Sequence, residues 1–441
     1  MNKEKIVVIG AGLAGCEAAY QIAKNKIEVD LYEMRPVRQT PAHNTEMFAE
    51  LVCSNSLKSN YLENASGILK EEMRRLGSLI IEAADKNSVP AGKALAVDRT
   101  KFAEFITNAL KTNPYINIKC EEFCKLPDTT DCPIIIASGP LTSESLSKEI
   151  SRLTCSDYLY FFDAISPIID AESINFEKAF FASRYEKGEN EQGDYLNCPL
   201  EKEQYYKLID DITSADSIDV KEFDSVKYFE SCLPVEVIAS RGKDSLKFGP
   251  MKSKGITNPN TSRRPYAVVQ LRKENSGGSM YNMVGFQTRL KYSEQKRVFS
   301  TISGLENAEF LRYGSMHRNT YINSPKLLNG SLQLKNNPNI FFAGQIVGVE
   351  GYVESAAMGI IAGRNASNLF LGKRINQPSE QTSLGSLLKY ITDENIREFQ
   401  PMNINFGLYP DIEDIEKKCS KSEKRRYIAL RALEKITEYI N

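Results

Sequence analysis

The stretch VVIGAGLAG, Val7 to Gly15, constrains this chain more than any other. Residues Lys5 to Ile9 are short and apolar enough for a buried strand. Gly10, Gly12 and Gly15 follow in G-x-G-x-x-G spacing, and CEAAYQIAKNK then carries the periodicity of a helix. A second strand, Glu28 to Tyr32, ends at Glu33, an acid 23 residues after Gly10. Strand, glycine turn, helix, strand and acid are together the context in which this spacing binds a dinucleotide. Gly10 permits the tight turn, Gly12 lets the backbone approach a pyrophosphate, and Gly15 lets helix and strand pack closely. The unpaired N–H groups at the helix start face the phosphates, and Glu33 accepts from ribose hydroxyls. The motif alone does not separate FAD from NAD.

A second segment bears on that choice. NIFFAGQIVGVEGYVESAAMGIIAGRNASNLF, Asn339 to Phe370, reads as a strand ending at Gly344, a glycine-rich loop through Gly348 and Gly351, and a helix from about Val353. A strand–loop–helix placed this late returns the chain to its first fold and presents N–H groups to the far end of a long cofactor. That favours a flavin-type fold. DCPIIIASGP, Asp131 to Pro140, supplies another buried strand of the same sheet. ILKEEMRRLGSLIIEAADK, Ile68 to Lys86, has helical spacing, and VDRTKFAEFITNALKTN predicts a helix capped near Thr100.

With 441 residues the chain is long enough for two domains. From about Tyr158 the texture changes to aromatic, acidic and lysine-rich stretches. The expected architecture is α/β, a Rossmann-like FAD-binding domain (1–157 plus 326–441) interrupted by a mixed α/β insertion domain (158–325). The overall balance of 56 Lys/Arg against 57 Asp/Glu hides a local excess. Residues 240 to 300 hold 13 basic and 3 acidic side chains, with Tyr266, Tyr281, Phe286 and Tyr292 among them. Such a surface suits phosphate backbones and unstacked bases, and Arg263 and Arg264 are its candidate RNA contacts. A lysine-rich solvated face is the plainer alternative. The charged tail, Asp411 to Asn441, reads as helical, and its KKCSKSEKRR run reads as a solvated helix rather than a nucleic-acid contact. The nine cysteines lack CxxC spacing and there are two histidines, His43 and His317, so no zinc array is readable. Scattered thiols without a signal peptide point to the cytoplasm, and no apolar run is long enough to span a membrane.

FAELVCSNSLKSN, Phe48 to Asn60, puts Cys53 among polar residues just after the nucleotide-binding start. It could be filler, a redox partner or a nucleophile. VIGAGLAGCEAAY, LYEMRP, ELVCSNSLKSN, SCLPVEVIASRG, LKFGPMK and IFFAGQIVGVEGYVESAA together resemble the folate- and flavin-dependent tRNA (uracil-5-)-methyltransferases, relatives of the larger GidA flavoproteins, from Lys5 through at least Phe370. The resemblance implies FAD as cofactor, 5,10-methylenetetrahydrofolate as one-carbon donor and NAD(P)H as reductant. It implies uridine 54 in the T-loop of tRNA as substrate and 5-methyluridine as product. It assigns catalysis to Cys53 on the flavin side and to Cys232, in an apolar stretch expected to be a strand, against C6 of the uracil. A thiol suits this role, since its pKa of about 8.5 is easily lowered by positive charge. By family position Gln345, Gly351 and Tyr352 join Gly10, Gly12, Gly15 and Glu33 at the cofactor, with Gly344 and Ser355 beside them, and Asn55 is placed there to bond the flavin ring or to orient Cys53. Ser56 and Arg99 are weaker candidates for the same region. The same chemistry on 23S ribosomal RNA, a flavin oxidoreductase without RNA, and a flavin-bearing RNA-binding protein without turnover are the alternatives. The reacting base has to leave its stack.

Overall fold

The glycine turn lies at the centre of the main sheet. In the computed structural model, which describes residues 5–40, 42–127, 130–155, 159–184, 193–218, 233–412 and 420–440, β1 (Ile6–Ile9) runs into the helix Leu13–Ala23. β2 (Val29–Glu33) and β7 (Ile134–Ile136) flank β1 in parallel, with Val8 opposite Leu31 on one side and Ile135 on the other. β6 (Ile116–Cys120) lies beyond β2 and β17 (Asn337–Phe342) beyond β7, also in parallel, and β16 (Gln333–Leu334) closes one edge antiparallel. The order is β16-β17-β7-β1-β2-β6. A mostly parallel sheet must be covered on both faces, which explains the unbroken apolar runs of its central strands, IVVI in β1 and III in β7.

The helix Leu13–Ala23 packs against the late helix Tyr352–Phe370, and small residues make this possible. A Cβ on Gly359 would lie 2.3 Å from the Ala14 carbonyl oxygen, and one on Gly363 would lie 2.7 Å from that of Ala18. The two helices therefore run side by side in the same direction, with Gly359 level with Ala14, and residues at both helix starts line a cavity at the carboxyl ends of the strands, where open α/β sheets bind ligands.

The chain leaves this sheet through β8 (Leu159–Ala164) and returns through β15 (Met316–Tyr321), and the two strands pair antiparallel. Between them lies a six-stranded antiparallel sheet. It comprises β9 (Ile168–Asp170), β10 (Phe180–Ala182), β11 (Tyr195–Leu200), β12 (Ala267–Lys273), β13 (Met280–Met283) and β14 (Phe310–Arg312), in the order β10-β11-β12-β13-β9-β14. It has its own apolar core, including Leu196, Leu271, Phe286 and Phe299. A small sheet of β3 (Ser56–Ser59), β4 (Ser88–Val89) and β5 (Ala94–Val97) follows the Cys53 loop. The fold is thus a Rossmann-like α/β unit with an inserted mixed α/β part.

Some local expectations change. The helical stretch Ile68 to Lys86 is two helices, Ala65–Arg75 and Leu79–Lys86, because Gly77 turns at φ +68° and the Ser78 hydroxyl caps the second. The next helix, Arg99–Lys111, is capped by Asp98 rather than Thr100. Val235–Ser240 is a helix, not a strand. Pro234 stands at its cap, and its Glu236 accepts from the Arg289 N–H and the Thr288 hydroxyl. The tail helix, Lys421–Ile440, keeps Lys421 to Arg426 at the surface and buries Ile428, Ala432 and Ile436 further along. Arg75 of the helix Ala65–Arg75 donates to its Leu433 carbonyl at 2.7 Å. Among the aromatics of the basic stretch, Tyr281 and Phe286 are core residues, while Tyr292 is exposed. Among the described residues, no helix is long and apolar enough to cross a membrane.

Candidate functional site: one cleft, two cavities and a thiol loop

The glycine turn opens onto a cavity of about 1050 Å³ lined by Gly10, Gly12, Glu33, Gly344, Gln345 and Ser355, among others. A second cavity of about 890 Å³ adjoins it and is lined by Cys53, Ser54, Lys58, Gly351 and Glu354. Val52, Pro140, Leu141, Gln345 and Tyr352 line both, so the two form one continuous cleft. Its mixture of apolar wall with a few polar groups suits a cofactor with a substrate beside it.

At the turn, each glycine has its own reason. Gly10 has φ +100°, and a Cβ there would meet the Ala137 carbonyl at 2.6 Å. A Cβ on Gly15 would fall 1.7 Å from the Gly10 carbonyl oxygen, so Gly15 serves helix–turn packing behind the cavity. Gly12 is different: an added Cβ would have no protein atom within 4 Å. It stands at the helix cap, facing open space, and leaves the first N–H groups without a side-chain partner.

Glu33 ends β2 and is buried. Its Oε2 accepts from the Ala11 N–H at 2.9 Å, and its Oε1 accepts from Arg35 Nε at 3.0 Å and Arg35 N–H at 3.1 Å. Burial opposes ionisation here, but Arg35 and the two N–H groups outweigh it and hold the carboxyl below its ordinary range. A carboxylate has about four acceptor sites, so capacity remains for a ribose. Glu50 pairs with Arg35 from the other side at 3.3 Å. His43 borders the same end; burial first, then Arg35, push its pKa down to about 4, so its ring is neutral at pH 7.

The Cys53 loop crosses the junction of the cavities. Tyr352, first residue of the late helix, accepts from the N–H groups of Cys53 at 2.7 Å and Ser54 at 3.3 Å. Gly351 precedes it at φ +118°, where a Cβ would lie 2.3 Å from Glu354 Oε2 and 2.9 Å from Lys58 Nζ. Lys58 and Glu354 form an ion pair at 2.9 Å in the wall of the second cavity. The Cys53 thiol is partly exposed, and its sulfur is 4.0 Å from the Ala164 carbonyl, where β8 ends.

Asn55, expected at the cofactor, faces neither cavity. It is fully buried, its amide donates to the carbonyls of Val97 and Lys273 at 2.9 Å each, and its oxygen accepts from Arg272 Nε at 2.8 Å. Arg263 and Arg264 are exposed, and Arg264 Nε donates to the Ser253 hydroxyl at 3.1 Å. Cys232 lies outside the described residues. Sequence reasoning missed Arg35, Glu50, Lys58, Glu354, Arg272 and Arg312. Arg35, Glu50, Lys58 and Glu354 lie within LYEMRP, ELVCSNSLKSN and IFFAGQIVGVEGYVESAA, whereas Arg272 and Arg312 carried no local signal.

Residues 5–374 match the model of the family described as glucose inhibited division protein A. The chain is 54% identical over 439 residues to the methylenetetrahydrofolate--tRNA-(uracil-5-)-methyltransferase TrmFO of Exiguobacterium sp., covering 100% of this chain and 99% of that one. It is 54% identical to the Bacillus subtilis protein of the same name (99% and 98% covered) and 56% identical to that of Acetivibrio thermocellus (99% and 98%). The fold matches Aquifex aeolicus GidA with a TM-score of 0.70 at 18% identity, covering 98% of this chain and 73% of that one.

Proposed function

The chain belongs to the glucose inhibited division protein A family, and from that premise we propose that it transfers a one-carbon unit from methylenetetrahydrofolate to C5 of uridine 54 in the tRNA T-loop, forming 5-methyluridine. The observation that carries this reading is the placement of the Cys53 thiol in the same cleft as both glycine loops.

The cleft fits FAD. Gly12 leaves room for a pyrophosphate against free N–H groups, Glu33 retains acceptor capacity for a ribose, and Gly351 with Tyr352 and Gln345 borders the far end. When bound, FAD reduced by NAD(P)H supplies the electrons that turn a transferred methylene into a methyl group. The chain's own residues bind, orient and activate. C5 of uracil is a weak nucleophile until a thiolate adds at C6, and Cys232 takes that role in this reading. Cys53 acts on the cofactor side, beside the transferred carbon, with its backbone fixed by Tyr352. Removal of the C5 proton then releases Cys232. Arg263 and Arg264 meet the phosphates, which balances the substrate's charge. In this reading the enzyme acts in the cytoplasm.

The test incubates the protein with FAD, NADPH, methylenetetrahydrofolate and unmodified tRNA or ribosomal RNA, then maps 5-methyluridine by nucleoside mass spectrometry. Product at the T-loop is expected. Product in ribosomal RNA alone would keep the chemistry and replace the substrate, and no product in either would overturn the reading.

A further inference from the structure

The peptide groups around Cys53 are held from two directions. On the N–H side stands Tyr352. On the carbonyl side stand guanidiniums that the mechanism above does not use. Arg312, last residue of β14 in the inserted sheet, donates from Nη1 to the Val52 carbonyl at 3.1 Å and from Nη2 to the Cys53 carbonyl at 3.1 Å. Its fork thus spans two consecutive carbonyls. Arg99 reaches the Leu51 carbonyl and is itself gripped by Glu274, from just beyond β12, at 2.8 and 3.0 Å. Arg272 of β12 holds the Ser54 hydroxyl at 2.7 Å and Asn55 at 2.8 Å.

Satisfying loop carbonyls does not require an arginine. A backbone N–H would serve, and burying a guanidinium carries a desolvation cost that lowers the Arg312 pKa here. Arg312 Nε, buried, has no hydrogen-bond partner among the described residues, so the side chain is spent on the two carbonyls alone. What a rigid planar fork adds over an N–H is orientation of two successive peptide planes at once. With the N–H of Cys53 fixed as well, the thiol retains little freedom beyond its own side-chain torsion.

We propose that Arg312 is a positioning residue for Cys53: the inserted sheet, through this fork, sets where the thiol of the nucleotide-binding part stands in the cleft. The proposal rests on the role given to Cys53 above.

The experiment compares native holoenzyme with Arg312→Gln and Arg312→Lys. It reads FAD content, kcat and KM for tRNA methylation, and the rate at which iodoacetamide alkylates Cys53, followed on its own peptide by mass spectrometry. Arg312→Gln is expected to keep its FAD and its KM while kcat falls about 100-fold, as misplacement of a reacting group does. Its Cys53 alkylation rate should change severalfold. Arg312→Lys keeps the charge and loses the fork, so it should lose most of the same kcat. A kcat within about twofold of native in Arg312→Gln, with native alkylation, overturns the proposal. Loss of FAD in both variants also overturns it, since Arg312 would then be a residue of folding. If the native enzyme makes no 5-methyluridine, the functional reading fails, and the alkylation rates still decide whether Arg312 governs the thiol.

Discussion

The N–H of Cys53 donates to the phenolic oxygen of Tyr352 at 2.7 Å, joining residues 299 positions apart. Tyr352 begins the helix that follows the second glycine loop, and Cys53 sits in the loop that follows the first nucleotide-binding unit. One hydrogen bond therefore ties the loop that carries the Cys53 thiol to the element expected at the far end of the cofactor. Burial pushes the Tyr352 phenol above its ordinary pKa, so it stays a neutral acceptor through the physiological range.

Tyr352→Phe should leave FAD bound and lower both stability and turnover. Two N–H groups lose their acceptor, and each unsatisfied buried donor costs about 1–3 kcal/mol. Calorimetry and single-turnover methylation would show it. Native melting with native turnover would mean that this bond does not hold the thiol loop.

Alanine at the two glycines should separate cofactor contact from packing. Gly12→Ala meets no protein atom within 4 Å and should fold normally while binding FAD much more weakly. Gly15→Ala drives a methyl into the Gly10 carbonyl and should destabilise the fold by about 1–3 kcal/mol or more. Apo-protein melting and flavin titration distinguish them, and identical behaviour would remove the pyrophosphate role from Gly12.

Cys53→Ala and Cys232→Ala should each retain FAD and form no 5-methyluridine. The two differ in what accumulates: only Cys53→Ala can still form a covalent adduct with RNA through Cys232. Denaturing gels with 5-fluorouridine tRNA would reveal the adduct. Sustained methylation in either variant would withdraw that cysteine from the mechanism.

Glu72 gives a pH dependence. Its carboxylate accepts from the N–H groups of Ser383 and Leu384 at 2.7 and 2.9 Å, at the start of the helix Ser383–Thr392. Burial outweighs those bonds and raises its pKa to about 7. The folded state therefore holds this proton more tightly than the unfolded chain. Its contribution is fully present below about pH 4.3 and is lost as pH rises through 7. Denaturant titrations from pH 4.5 to 8 should show a decline of order 3 kcal/mol from this group. Glu72→Gln should flatten that decline, and an unchanged slope would assign it elsewhere.

Arg263→Ala with Arg264→Ala should weaken tRNA binding about equally for all sequences. The slope of log affinity against log salt should become shallower by about 1 for each phosphate that the variant no longer neutralises. Unchanged affinity would place the RNA on another face.

Much of the cofactor half was legible because its signals are local. A glycine at φ +100°, an apolar strand and a helix with free N–H groups each follow from a few neighbouring residues, and Gly10, Gly12, Glu33 and Gly351 all reach the cleft. The break at Gly77 and the cap at Ser78 were equally local, but helical periodicity continues across both. For Asn55 the local sequence left two roles open, bonding the flavin ring or orienting Cys53, and its side chain turns inward to Arg272.

By itself the sequence determined the parallel strands, the two glycine turns and the thiol beside them, since each depends on backbone conformation and spacing within about thirty residues. Only the tertiary structure decided that Tyr352, Arg99 and Arg312 close around Cys53. Those contacts join a loop near residue 53 to the helix Arg99–Lys111, to the inserted sheet and to the returning helix, from 46 to 299 positions away. No periodicity encodes a distance of that kind. An arginine in a strand reads the same whether its fork meets water or two buried carbonyls, and folding alone brings the carbonyls to it.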